Sequence, residues 1–289
     1  MIKIIHIGSI VLCILSTILF VFSGFYLNKN ADAYGPEIHM EETEIEVSIH
    51  ATEEELLQGI TATDKKDGDV TDSLLVESMG LFINTGKRNI IIDAFDNNHN
   101  VTKIERTIQY TDYISPRIKI SNPLRVPLND INQLMDCITV EDCLDGDITD
   151  ALQITPMNNV TSFALPGEYE MKLTVSNSVG DVVELPVVVE LYDNLSDSSK
   201  PKALLSDYLI YKKVGESIEP QDYLIGFVQR GVTYEWDALA SGLAVPYVRK
   251  DVSIKNNVDT AVPGVYEILY SMTDAGYTTN VRQVVIVEE

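Results

Sequence analysis

Two acidic strings hold the side chains of this sequence best suited to chemistry. The first is Thr61-Ala-Thr-Asp-Lys-Lys-Asp-Gly-Asp-Val-Thr71, and the second is Thr139-Val-Glu-Asp-Cys-Leu-Asp-Gly-Asp-Ile-Thr149. Each is followed by another acid, Asp72 or Asp150. Asp64, Asp67, Asp69 and Asp72 thus have counterparts in Asp142, Asp145, Asp147 and Asp150. Carboxylates clustered on a loop are the donor set of a hard cation, and calcium takes about six to eight oxygens. The spacing differs from the calcium loop in which alternating acids are followed by Gly and a distal Glu. A structural turn explains the same residues: Asp-Gly is a strong turn dipeptide, and Asp carboxylates bond to nearby backbone N–H groups. The turn takes precedence and calcium is the alternative. Crowded like charges are expected to raise one another's pKa, which would leave weak cation binding open even without a defined site.

The other candidates for chemistry are sparse. Of four His, His6 lies in an apolar run and His39, His50 and His99 are scattered, with no H-E-x-x-H spacing. The sequence has no G-x-S-x-G elbow, and Cys143 has no His nearby. Paired carboxylates of a glycan-acting hydrolase are always available among 44 acidic residues, but no other feature supports that reading. No catalytic residue, metal ligand or cofactor site is therefore assigned, and the expectation is a protein that is not an enzyme. Trp236 is the only tryptophan, with Tyr234 and Tyr247 close by in sequence. Such aromatics on a loop could form a platform for a glycan or a partner protein. Trp236 could equally pack between two sheets. The formal net charge of −23 and pI near 4.4 argue against nucleic acid, which demands basic patches.

The elements that must position these residues follow from the repeat. The second string begins at 139 and the first at 61, a period of 78 residues. That period predicts tandem copies of one small domain. Three modules are expected, at 34–111, 112–194 and 202–289, after a segment spanning 1–33. Residues 44–49 alternate polar and apolar at period two. Tyr169, Met171, Leu173 and Val175 share one face, as do Tyr266, Ile268, Tyr270 and Met272. Val187–Leu191 and Val284–Val287 are runs of β-branched residues that predict strands. Glu53–Gln58 and Asp130–Met135 are each expected to form one helical turn. The class is all-β, one sandwich per module. Residues 193–201 are polar, Ser-rich and end in Pro, which predicts a short linker. The joint at 111–116 is expected to be tighter. Leu165-Pro-Gly-Glu-Tyr-Glu170 and Val262-Pro-Gly-Val-Tyr-Glu267 predict a tight turn that leads an inward-facing Tyr into the next strand. Module one has Asn84-Thr-Gly-Lys87 instead. Cys137 and Cys143 are expected to lie too far apart to bridge.

Residues Ile4–Tyr26 form one apolar run preceded by Lys3, and about 20 such residues suffice for a transmembrane helix. An uncleaved signal anchor is the preferred reading. A cleaved signal peptide, with Ala31-Asp-Ala33 as its site, is the alternative. Cys13 stands mid-run after Leu12, a poor context for lipidation. With Lys3 inside, the modules would lie outside the cell membrane in a single-pass arrangement.

The motifs together resemble the bacterial immunoglobulin-like repeats of exported surface proteins. The resemblance rests on T-x-x-D-x-x-D-G-D-[VI]-T at 61–71 and 139–149, and on Pro166-Gly-Glu-Tyr169 and Pro263-Gly-Val-Tyr266. Hairpin segments at Thr273–Thr278 and Asp93–Asn98 and an opening turn at Val214–Pro220 add to it. It covers nearly all of residues 37–289. Module three departs from it, with Tyr234–Leu239 and an insertion reaching Tyr247 in place of the Asp-Gly-Asp string. Module two has Ser176-Asn-Ser-Val-Gly180 where a hairpin Asp is expected. The resemblance implies tandem immunoglobulin-like sandwiches acting as a stalk and an adhesion or binding scaffold, with a surface protein or glycan as partner. An accessory subunit of an envelope assembly is the alternative.

Overall fold

The computed structural model describes residues 8, 11–23, 34–128, 130–158, 163–193, 197, 199–238 and 245–289. Residues 11–23 are helical, with Phe20 and Phe22 exposed. Among the described residues no helix is long and apolar enough to cross a membrane. The remainder of the apolar run, and Ala31–Ala33, fall outside the described residues.

The chain beyond residue 34 is mostly β-sheet, built on one plan used three times. In the first copy, Glu37–Met40, Ile60–Asp64 and Gly68–Asp69 form a three-stranded antiparallel sheet. A four-stranded sheet runs Glu44–Val47, Val101–Tyr110, Lys87–Phe95, Leu75–Asn84, and its first pair is parallel. The second copy repeats the plan. Arg117–Ile120, Ile138–Asp142 and Gly146–Asp147 form one sheet; Gln153–Pro156, Gly167–Ser176, Val182–Tyr192 and Arg125–Pro127 form the other. The third pairs Lys202–Leu205, Leu224–Gln229 and Val232–Glu235 on one side. On its other side stand Val252–Asn256, Gly264–Asp274, Tyr277–Glu288 and Leu209–Lys213. The parallel pairing recurs because the chain crosses from one sheet to the other after its first strand.

Period-two patterning explains the cores. Met171, Leu173 and Val175 are buried on one face of Gly167–Ser176, and Ile268, Tyr270 and Met272 on one face of Gly264–Asp274. They meet Ile118, Ile120, Ile138 and Val140 in the second copy and Phe227 in the third. The first copy closes over Leu56, Ile60, Ile90, Ile92 and Ile108. Both helical turns form, as Glu53–Leu56 and as a 3-10 turn at Ile131–Cys137. The first is held by a reciprocal cap: Glu55 N–H donates to the Thr52 hydroxyl, and Thr52 N–H donates to the Glu55 carboxylate at 2.8 Å. Asp130 makes no such cap. Cys137 and Cys143 form no disulfide, and Cys143 Sγ donates to the Ile114 carbonyl at 3.1 Å.

The chain divides into two compact units, Met1–Tyr113 and Ile114–Glu289, so the second and third copies share one unit. The segment expected to be a linker, 193–201, therefore lies inside the second unit. Its Asp197 side chain is only 6% exposed, and it pairs with Arg125 at 2.9 Å and Lys202 at 2.6 Å. Arg125 also grips Glu190 through Nε and Nη2, at 2.8 and 2.9 Å. Composition marked this segment as polar, but it could not show that flanking strands supply two cations to its one buried acid. Elsewhere in the seam Arg117 pairs with Glu288 at 2.8 Å and lies 4.2 Å over the Tyr211 ring. The Tyr211 hydroxyl donates to Ile118 O at 3.1 Å and accepts from Ile118 N at 3.0 Å. Arg282 joins Glu168 and Glu267 at 2.6 and 2.7 Å.

Replacing Arg125 with Met leaves Glu190 and the buried Asp197 without their main cation and should cost about 3–5 kcal/mol of unfolding free energy in urea. Burial alone would raise the Asp197 carboxyl, but Arg125 and Lys202 outweigh it and hold it below the usual range. A depressed folded value contributes stability that is complete above the ordinary carboxylate range and is lost as pH falls through the folded value. The wild type should therefore lose part of its stability in acid, and Arg125→Met should lose less over the same pH interval.

Candidate functional site

The two acidic strings are wired alike. Asp64 Oδ1 accepts from Lys66 N at 2.7 Å and Asp67 N at 2.9 Å. Asp142 Oδ1 accepts from Leu144 N and Asp145 N, both at 2.9 Å. Gly68 and Gly146 take φ of 80° and 75°, the left-handed turn that Gly alone adopts freely. Asp69 Oδ1 then accepts from the Thr71 hydroxyl at 2.6 Å, and Asp147 Oδ1 from the Thr149 hydroxyl at 2.6 Å. Each of these Thr hydroxyls accepts from the strand before it, from Ala62 N at 3.1 Å and Val140 N at 2.9 Å. The second Asp of each string reaches the far hairpin: Asp67 accepts from Asn97 N at 3.0 Å, and Asp145 from Ser178 N at 2.6 Å. Six of the eight carboxylates thus fold the chain. Asp72 and Asp150 sit on the exposed 3-10 turns that follow.

This wiring corrects the expected electrostatics. Asp69 and Asp147 lie below the usual carboxylate range, because the Thr71 and Thr149 hydroxyls and amides bond to the ionised form. Donated hydrogen bonds prevail over carboxylate crowding there. No group of three or more acidic, His or Cys side chains suited to a metal occurs among the described residues.

The hairpin opposite each string holds one further side-chain acceptor: the expected Asp in the first copy, and in the second an Asn that sequence reading took for a departure. Asp96 Oδ1 accepts from Asn98 N and Asn100 N, both at 2.8 Å. Asn177 Oδ1 does the same for Val179 N at 3.2 Å and Asp181 N at 2.9 Å. Asn177 therefore fills the place of the expected Asp in the second copy, and its Nδ2 donates to Asp142 Oδ2 at 3.1 Å. The spacing of acceptor to donor, i to i+2 and i+4, was the available signal. The two Pro-Gly-x-Tyr turns are also equivalent: Tyr169 donates to Leu165 O at 2.7 Å and Tyr266 to Val262 O at 3.0 Å.

Tyr234, Trp236 and Tyr247 come together around one buried ring. Tyr234 stacks on Phe227 with centroids 4.7 Å apart, Tyr247 meets it edge-on at 5.3 Å, and Trp236 lies 6.1 Å away. Trp236 Nε1 donates to Tyr247 O at 3.0 Å. All three are half-buried, so they combine packing with an accessible edge. Arg249 lies 5.8 Å over the indole and pairs with Asp237 at 2.7 Å. Burial, then Asp274, pushes the Tyr247 hydroxyl up. Residues 239–244 of the insertion lie outside the described residues.

Arg106 is a second feature the sequence did not expose. It points into the core of the first copy at 2% exposure, and Nη1 donates to Leu56 O and Gln58 O, both at 2.8 Å.

No family model matches the chain. The pesticidal crystal protein Cry22Aa of Bacillus thuringiensis is 28% identical over 252 residues, which cover 84% of this chain and 32% of that protein. This chain thus spans about a third of the length of that relative. Among solved structures, CBM51-2 in complex with GlcNAc and INT domains from Clostridium perfringens ZmpB align with 54% of this chain and 41% of theirs, at 14% identity and a TM-score of 0.22. The lipoprotein BT2262 from Bacteroides thetaiotaomicron aligns with 86% of this chain and 98% of its own, at 9% identity and a TM-score of 0.20. Scores this low carry no argument.

Asp142→Ala removes an acceptor from two backbone amides and should destabilise the second unit by about 1–3 kcal/mol. Asp142→Asn keeps the Oδ1 acceptor and should recover part of that loss. Asp150→Ala, on the exposed turn, should change the urea midpoint little. A loss at Asp150 equal to that at Asp142 would count against the turn assignment.

Proposed function

We propose that this chain is an exported, membrane-anchored bacterial surface protein whose three immunoglobulin-like modules act as a stalk and binding scaffold, without catalytic activity. The observation that carries this reading is the thrice-used two-sheet plan, with the same acidic turn wired bond for bond in two of its copies. Repetition of a packed unit gives length and surface rather than a deep reaction cleft. The apolar run at 4–26 supports anchoring, and the acidic composition suits an exposed, soluble surface. The likeness to Cry22Aa covers a minor part of that protein and supports shared modules, not a shared activity. The half-buried Tyr234, Trp236 and Tyr247 are the proposed contact for a glycan or surface protein. Calcium at the Asp-Gly-Asp turns stays an unadopted alternative.

An accessory role in an envelope assembly is favoured by one feature. The edge strand Leu75–Asn84 exposes Met79, Leu81 and Ile83, at 44%, 66% and 54%. A long apolar edge is a site where another chain can add.

Expression of the full chain with a C-terminal epitope in a bacterium tests the reading. The protein should sediment with membranes, and protease added to intact cells should remove the epitope. An epitope that stays protected, or a protein found in the cytosol, would defeat the proposal. Because Trp236 is the only tryptophan, its fluorescence in the full chain should shift when a glycan or protein binds at the proposed aromatic contact.

A further inference from the structure

The second and third copies meet edge to edge. Arg117–Ile120 is an outer strand of the three-stranded sheet in the second copy, and Leu209–Lys213 is an outer strand of the four-stranded sheet in the third. Tyr211 reaches Ile118, and Glu288, the strand partner of Lys213, reaches Arg117. Further along, Leu124 and Arg125 line one small void with Tyr208 and Val284. Residue numbers thus rise along one edge, from 117 to 125, as they fall along the other, from 213 to 208. The two copies form a hairpin of modules. At its closed end Asp197 and Lys202 meet Arg125. At its free end the last strand of the unit returns to the first, through Glu288 and Arg117.

The two ends are held differently. At the closed end the Arg125, Asp197 and Lys202 side chains are 7%, 6% and 19% exposed. At the free end Arg117 and Glu288 are 32% and 37% exposed. A partly exposed ion pair contributes little net stability, because solvent screens it and two long side chains must be ordered. Mid-seam, the void among Leu124, Val188, Tyr208, Val281 and Val284 measures about 20 Å³, so the apolar contact there is incomplete. Interfaces between domains of one chain permit relative motion unless they are large and apolar. One main-chain group reports on the free end. Val140, opposite Ile118, donates its N–H to the Thr149 hydroxyl and accepts from Ile148 N. Ile118 therefore faces out of its sheet, and both its N–H and its carbonyl go to the Tyr211 hydroxyl.

We infer that the free end is a latch: Arg117, Glu288 and Tyr211 release together, and the third copy pivots about the closed end with both sandwiches intact. Tyr234, Trp236 and Tyr247 ride on the moving copy, so the latch sets where that aromatic contact points. This use rests on the binding-scaffold reading, whereas the latch itself does not.

Two measurements on the full chain in detergent micelles test it. The first is hydrogen–deuterium exchange at the Ile118 amide, set against Leu173 in the middle of the second sandwich. Ile118 should exchange at least about tenfold faster than Leu173, since the latch opens without unfolding. Arg117→Gln should speed Ile118 by about twofold to fivefold, the worth of a partly exposed ion pair, and leave Leu173 unchanged. Glu288→Gln should act alike and decides if the first variant folds poorly. The second measurement is the distance between spin labels at Lys119→Cys and Lys213→Cys, in a chain whose Cys13, Cys137 and Cys143 are replaced by Ser. A second, longer distance should accompany the short one, and its share should grow in Arg117→Gln. Ile118 exchanging as slowly as Leu173 would overturn the latch. A single distance that Arg117→Gln leaves unchanged would overturn it whatever the exchange rate, since Ile118 would then report local fraying.

Discussion

The architecture depends on a buried carboxylate accepting two backbone N–H groups. Asp64 and Asp142 are 8% and 6% exposed, at the end of an inner strand. A loop leaving a sheet at this depth would strand its amides away from water, and each unmet buried donor costs about 1–3 kcal/mol. The carboxylate removes that cost and fixes where the chain turns. The Asp and Thr that follow repeat the solution at the next step, returning a hydroxyl to the strand that was just left. The Asp between these two, Asp67 or Asp145, crosses to the hairpin of the opposite sheet. One short string therefore ends a strand, shapes a turn and ties two sheets together. This explains why so acidic a sequence is confined there to so strict a spacing. The residues are held by geometry, and their low pKa values at Asp69 and Asp147 record the donors that hold them.

The third copy keeps the sheet plan without the string, so something else must do the same work. Its interior has Tyr270, whose hydroxyl lies 2.8 Å from Pro220 O and 2.9 Å from Gln283 Oε1. Gln283 Nε2 continues to Asp207 O at 2.9 Å. Side-chain hydrogen bonds from the core thus reach loop carbonyls that the acidic turn does not serve. Where the first two copies carry the string, the third has Phe227 with Tyr234, Trp236 and Tyr247 packed about it. Aromatic area replaces carboxylate wiring, and the insertion that departs from the repeat is also what brings these rings together.

Much of this was legible in the residues. The period of 78, the alternation in 167–176 and 264–274, and the Pro-Gly-x-Tyr turns each report a local constraint, and local constraints are written in local sequence. The turn reading of the Asp-Gly-Asp strings succeeded for the same reason, since acceptor and donor lie two or three residues apart. Two of the misses, Asp197 and Arg106, are long-range. Asp197 looks like one polar residue of a Ser-rich joint, and only folding brings Arg125, 72 residues away, onto its carboxylate. Asn177 looked like a departure from the motif because an amide was not considered as the acceptor. Arg106 was invisible because it occupies an inward position in an alternating strand, where its charge suggests the solvent face.

Position 106, which cross-strand register matches to Val187 and Gln283, shows how copies of one frame diverge in the core. Three copies share one frame, so a residue at one register can be compared with its two equivalents as though each were a substitution of the others. Val187 is the apolar solution, buried at 3%, and it asks nothing of its surroundings. Gln283, at 0%, is neutral and its amide nitrogen and oxygen each find a partner. Arg106 carries a full charge at the same depth, with an Nε left unbonded. A buried cation without a paired anion is the costliest of the three choices, and the Leu56 and Gln58 carbonyls offset part of that cost. Those carbonyls use only one of its nitrogens. The copies thus differ in what the frame requires, which is little, and what one member has added to it.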